Sequence, residues 1–217
     1  MKSQLLKPLL AAAACLVMWP SHAARAADII VQPTNITAAP PEGMISDTNP
    51  NMCITGAGLD DPDAVSNGAP VPAKLPQHNA SFFTLARWYE ANGSSTFDQK
   101  AFVPGTQLTF ALDQAYTING VYLWNYSENN EEDVVYNTNR GLNEATIEFS
   151  SDGGTTWGKP VELTFKPSAD GALASPEFKP LAPAKADAVR LTLLSNFGGE
   201  KANGIIGFDE IRFTAKP

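Results

Sequence analysis

Histidine and cysteine are almost missing from this chain, with two of each in 217 residues. A metal site built on imidazole or thiolate, or a nucleophile served by a histidine base, has few residues to draw on. The motifs of such chemistry are missing as well. There is no His-Glu-x-x-His, no Gly-x-Ser-x-Gly, no phosphate-binding glycine loop and no cysteine–histidine ligand spacing. Positive charge is scarce, 15 Lys and Arg against 23 Asp and Glu. No helical stripe of useful length and no internal repeat can be read, which argues against helix bundles and repeat arrays.

What is present at the start reads as an export signal. Lys2 and Lys7 precede an apolar run from Leu9 to Met18, and Ala24-Arg25-Ala26 offers small residues for cleavage. The run is too short to span a bilayer, and no later run is long enough. A lipid anchor on Cys15 is disfavoured, because Ala12 stands where such sites carry leucine. Removing residues 1–26 takes away Cys15, His22 and three basic side chains. Twelve basic then face 23 acidic groups, a formal charge of −11, and Cys53 is the single thiol. An exported chain with one cysteine forms no internal disulfide and depends on its core. Cys53 reads as a small buried apolar side chain. A surface this acidic repels phosphate backbones and anionic lipid heads, so nucleic acid and anionic membranes are excluded as partners. It suits neutral sugars or a divalent cation. The expected location is periplasmic or extracellular, and the expected state is a monomer.

Three parts follow. Residues 1–26 are the signal. Residues 27–51 carry Pro33, Pro40, Pro41 and Pro50 and read as an extended arm. Residues 52–217 read as one β-domain. Its first part, to Gln99, is irregular, with Ser81 to Tyr89 the one regular stretch. From Leu108 apolar residues alternate with polar ones: Leu108, Phe110 and Leu112; Ala145, Ile147 and Phe149; Val161, Leu163 and Phe165; Val189, Leu191 and Leu193; Ile211 and Phe213. Val121-Tyr-Leu-Trp-Asn-Tyr126 is apolar on both faces, as in the middle of a sandwich, and Trp124 reads as core. Turns fall at Asp152-Gly153 and Asp170-Gly171. The expected fold is an all-β antiparallel β-sandwich.

Several pieces in order carry a family resemblance. Leu123-Trp-Asn-Tyr126 leads into a loop that ends at Arg140-Gly141. The next strand ends in the turn Ser150-Ser-Asp-Gly153, and Gly207-Phe-Asp-Glu-Ile211 closes the chain. In this order they resemble the discoidin family, the coagulation factor V/VIII type C domains. The resemblance covers Leu108 to Phe213 and reaches weakly back to Ile54-Thr-Gly-Ala-Gly-Leu59. It implies a galactose-binding-like jelly roll that binds with loops and is not an enzyme. The 60–99 segment is longer and less regular than the family's first loops. The stretch Ser150 to Trp157 also fits the Asp-box hairpin of propellers, but one copy makes no propeller, and Asp152 reads as a turn former.

Candidate ligand-binding residues sit on two loops. Asn125, Tyr126, Tyr136 and Arg140 belong to the first, and Asn196 and Phe197 to the second. Sugars are held by an aromatic plate under the apolar pyranose face, with amides or arginine on the hydroxyls. Arg140 equally suits a structural pair with Glu128, and Phe197 a packing plug. His78, in Gln77-His-Asn79, reads as a solvated loop residue, with Asn79 and Trp88 nearby in sequence. Glu131-Glu132-Asp133 reads as a solvated edge rather than a glycosidase pair. The resemblance also implies a calcium ion near the chain ends, with Glu210 in the last strand and Asp60, Asp61 and Asp63 as further ligands. Two function classes remain: a carbohydrate-binding module, and a protein-interaction or matrix-adhesion module whose proline-bearing arm docks a surface protein.

Overall fold

The computed structural model describes residues 27–41, 50–79, 103–127, 138–169, 173–199 and 206–217. Seven strands are found there: β1 (Ile29–Val31), β2 (Asn35–Ala39), β3 (Gln107–Asn125), β4 (Leu142–Ser150), β5 (Val161–Thr164), β6 (Glu177–Asn196) and β7 (Phe208–Ala215). They run in the order β1-β7-β3-β6-β4-β5, with β2 also on β3. Every named pairing is antiparallel.

One sheet makes two layers because its longest strands bend. The first half of β3 pairs with β2 and with the end of β6, as in Phe110 opposite both Ile36 and Val189. Its second half pairs with β7 and with the start of β6, as in Tyr122 opposite Arg212 and Phe178. The pairing slips between Ala111 and Tyr116 and again between Ile118 and Gly120. Such bulges increase twist and turn a strand from one layer into the next. Phe110 of one layer then meets Phe213 of the other edge-on, ring centres 5.5 Å apart. This sheet-on-sheet contact is the sandwich that the alternation predicts.

The alternating residues fill it. Leu108, Phe110, Val121, Leu123, Ala145, Ile147, Leu191, Leu193, Ile211 and Phe213 all lie in one buried cluster, with Cys53 at its margin. Each large apolar side chain of this kind contributes about 1.5–3 kcal/mol by leaving water. A second, smaller cluster lies outside the sheet. Ile30, Trp124, Leu59 and Val65 meet there, roofed by the segment 50–79. The Trp124 indole N–H donates to the Pro76 carbonyl at 2.8 Å, which satisfies its polar atom in a buried place.

Two expectations need correction. The proline-bearing arm is not a free tether, because β1 pairs with β7 and β2 with β3. Pro33 and Pro40 fall outside these short edge strands, where a missing N–H costs no ladder bond. The strand around Val189 is also longer than the alternation shows, because it starts at Glu177 and passes through Pro180 and Pro183. The Asp170-Gly171 turn, the regular stretch 81–89 and the signal lie outside the described residues.

Phe213→Ala should cost about 3–5 kcal/mol, since it empties the contact between the layers. Urea unfolding of the variant measures this, and a loss below about 1 kcal/mol would mean that the layers do not depend on that ring.

Candidate functional site

The end of β3 and the start of β4 are joined by one amide. Asn125 Nδ2 donates to the carbonyls of Leu142 at 2.8 Å and Lys166 at 2.9 Å. Its Oδ1 accepts from the N–H groups of Leu142 at 2.8 Å and Tyr126 at 2.9 Å. All the capacity of that amide goes to backbone. Ser168 Oγ adds a bond to the Asn125 carbonyl at 2.8 Å. The other loop is fixed against the same place. Gly198 N–H donates to the Asn139 carbonyl at 2.9 Å, and Asn196 stands opposite Leu142 in the ladder. Asn196 Oδ1 also accepts from the Gly199 N–H. Gly141 lies where these meet. A Cβ there would come 2.9 Å from Asn125 Oδ1 and 3.1 Å from the Phe197 ring. The glycine of the Arg-Gly pair is therefore a close-approach position.

The two loops expected to neighbour each other thus do so, at 138–141 and 195–199. The residues chosen as ligand contacts fare differently. Asn125, Tyr126 and Arg140 are buried, and Asn196 keeps 8% of its surface. Asn125 is fully used by backbone groups and Asn196 accepts from the Gly199 N–H, so with the buried Tyr126 these side chains frame the loop end. Phe197 is the one described candidate with its ring partly exposed. Tyr136, Trp88, Asn129, Asn130 and the Glu131-Glu132-Asp133 run lie outside the described residues.

The acids expected to hold calcium do other work. Asp60 Oδ1 accepts from the Gln77 N–H at 2.9 Å, and Asp61 caps a short 3₁₀ turn at Ala64. Asp63 is exposed in that turn. Glu210 is buried. Its Oε1 accepts from Arg212 Nη1 and its Oε2 from the Gly56 N–H at 2.8 Å. Arg212 Nε goes on to the Val65 carbonyl at 3.0 Å. Glu210 is thus bonded to Arg212 and Gly56 rather than to the Asp60–Asp63 segment. Among the described residues no group of three acids, histidines or cysteines is placed to hold an ion.

His78 is not solvated either. It is wholly buried, with Nδ1 3.1 Å from the Asn79 carbonyl and Nε2 3.0 Å from the Ala57 carbonyl. Both ring nitrogens thus face backbone carbonyls, and the Asp209 carboxylate stands 3.5 Å from Nδ1. The ladder skips Asp209, pairing Trp124 with Glu210 and Asn125 with Phe208. That irregularity lets two successive acids both serve the roof, Asp209 at His78 and Glu210 at Gly56. No periodicity in the sequence marks this, since it depends on a bulge.

The Ser150–Trp157 turn behaves as read. Asp152 accepts from the Thr156 N–H at 2.9 Å, from Ser150 Oγ at 2.7 Å and from Thr156 Oγ1 at 2.7 Å. These bonds, that from the Thr156 N–H first, lower its carboxyl to about 2. Trp157 packs beneath the Arg190 guanidinium, 4.4 Å from ring centre to Cζ, and Arg190 grips Glu148 through two bonds of 2.8 Å.

No family model matches the chain, and no curated protein matches it. Solved structures do resemble it. One is the family 32 carbohydrate-binding module of Clostridium perfringens NanJ in complex with galactose, at 14% identity over 86% of this chain and 98% of that one, TM-score 0.48. Another is an F5/8 type C domain from Bacteroides fragilis, at 16% identity over 87% and 97%, TM-score 0.45. A third is a Clostridium perfringens module, CpGH89CBM32-5, in complex with GalNAc-β-1,3-galactose, at 18% identity over 51% of this chain and 66% of that one, TM-score 0.38. The likeness is one of overall fold and says nothing of the site.

The Glu210 pair makes stability depend on pH. Burial pushes its carboxyl from 4.5 up to about 7, against the pull of Arg212 and of the Gly56 N–H. Between those values the folded protein keeps a proton that the unfolded chain has lost. The contribution is therefore full below pH 4.5 and is lost as pH rises through 7. Glu210→Gln has nothing to titrate, so wild type should lose stability relative to it across that range. Urea unfolding at stepped pH measures the gap, and a constant gap would show that burial does not dominate.

Proposed function

We propose that the chain is an exported, non-catalytic carbohydrate-binding module that takes its sugar at the end of the sandwich where the segments 138–141 and 195–199 meet. One observation carries this. The two loops are tied together by the Gly198–Asn139 bond and by Phe197 against Gly141, and the Phe197 ring stays partly open there. An aromatic ring on a rigid loop junction is what the apolar face of a pyranose stacks on. The buried amides contribute by fixing the loops in advance, which lowers the ordering cost of binding.

Two further features support the reading. After loss of the signal the net charge of −11 leaves neutral glycans as suitable ligands. The one histidine beyond the signal is wholly buried, its ring nitrogens facing the Ala57 and Asn79 carbonyls. The protein-interaction reading has the proline-bearing arm dock a partner, and in the structure that arm supplies β1 and β2 to the sheet.

A shallow site with one aromatic plate binds weakly, roughly 10 μM to 1 mM, because few contacts offset the lost freedom of the ligand. On a glycan array, Phe197→Ala should remove the signal with little change in melting temperature. Asn125→Ala should instead cost about 2–3 kcal/mol of stability, since it leaves buried backbone groups unmatched. Array binding unchanged by Phe197→Ala would overturn the site, and silence of the wild type towards every glycan would overturn the function.

A further inference from the structure

Beside the roofed cluster, β3 pairs with the start of β6. There Tyr122 and Phe178 stand opposite each other in the ladder, ring centres 4.6 Å apart. Tyr122 is half-buried and leans toward Trp124, whose ring centre is 6.5 Å away. Phe178 keeps 42% of its surface exposed. An aromatic ring so exposed usually stands away from the sheet; this one rests on it. Gly120 makes that possible, because a Cβ there would come 2.4 Å from Phe178 Cε2 and 2.5 Å from its Cζ. The strand has no side chain at the position the ring covers, and the result is an aromatic shelf in which the Phe178 ring is tilted 38° to that of Tyr122.

A polar line runs from the edge of the shelf. Thr214 Oγ1 lies 2.7 Å from the same hypothetical Cβ, so it borders the ring. It donates to Asn119 Oδ1 at 2.7 Å, and Asn119 Nδ2 donates to Asp28 Oδ2 at 2.8 Å. Lys216 Nζ donates to Asp28 Oδ1 at 2.6 Å, and both of these side chains are about a third exposed. The Asp28 charge also reaches Tyr122, whose hydroxyl is raised by burial first and by that carboxylate second. A hydroxyl, an amide, a carboxylate and an ammonium thus follow one another beside two rings in tilted contact.

We propose that this shelf is a second carbohydrate site, taking a neutral hexopyranose unit on the sheet face, separate from the loop end. The apolar C–H face of the sugar lies on Phe178, and its hydroxyls meet Asp28 and Asn119. Two observations select a neutral sugar. Asp28 already neutralises Lys216, and the acidic surface disfavours anionic glycans. A flat sheet face has no end wall, so it accepts an internal unit of a linear glycan as readily as a terminal one. The inference rests on the reading of the chain as a carbohydrate-binding module, but it uses none of the loop residues.

The test is a titration of the ¹⁵N-labelled protein with galactose, N-acetylgalactosamine, cellohexaose and mannohexaose, followed by amide shifts. At least one of these should move the amides of 119–122 and 177–179. Phe178→Ala should weaken that response about tenfold or more, Phe178→Tyr should keep it, and Phe197→Ala should leave it unchanged. Phe178 is exposed, so the Ala variant should melt near the wild type. Shifts confined to 138–141 and 195–199 would overturn the shelf and leave the loop site standing. Shifts at the shelf that survive Phe178→Ala would overturn the stacking role. No shift anywhere would overturn both sites.

Discussion

The fold depends on how a buried glutamate–arginine pair is held between β7 and the segment that roofs it. Glu210 and Arg212 are two residues apart on one strand face, and both are out of water. Left alone, such a pair costs more in desolvation than it returns. Here the Gly56 N–H and the Val65 carbonyl complete its hydrogen bonds. The same bonds bring the 50–79 segment down over Trp124, Ile30 and Leu59, which would otherwise be an exposed apolar face. His78 lies 3.5 Å from Asp209, the residue before Glu210, and both are buried. Polar satisfaction and apolar burial are one event, since neither the pair nor the tryptophan is stable without the roof.

The half of the fold legible in the sequence is the half governed by period two. Leu108 to Leu112, Ala145 to Phe149 and Val189 to Leu193 each show one buried face, and each is a strand. What was hidden breaks that period. β1 and β2 are three and five residues long, too short for alternation to show, and proline flanks them. The first half of β6 is interrupted by Pro180 and Pro183, and it is an edge within its layer, where proline is tolerated. The fusion of two expected strands into β3 follows from bulges, and a bulge leaves no mark in a hydrophobic pattern.

The proximity of the two loop segments was legible, whereas the depth of the side chains on them was not. The order of motifs put Arg140-Gly141 and Asn196-Phe197 on neighbouring loops, and so they are. Amides and arginine on a loop were taken for recognition groups because those chemistries bind sugars. Yet tying down two irregular loops takes the same chemistry, and Asn125 and Asn196 are spent on it. His78 and Glu210 show the same ambiguity from the other side. Polar residues in an irregular sequence read as solvated, whereas irregular backbone pressed on a sheet needs polar partners at depth.

The pairing of the two terminal strands has a mechanical consequence. β1 lies antiparallel to β7, with Ile29 opposite Ala215, and Lys216 holds Asp28 just beyond. A load applied across these ends pulls at right angles to the ladder. Its bonds are therefore strained one at a time rather than shared, as a zip opens from its end. The Asp28–Lys216 pair is the first to take that load, and the three-residue β1 ladder follows. A force trace on the isolated domain would register this as an early, low step before the bulged centre of the sheet gives way.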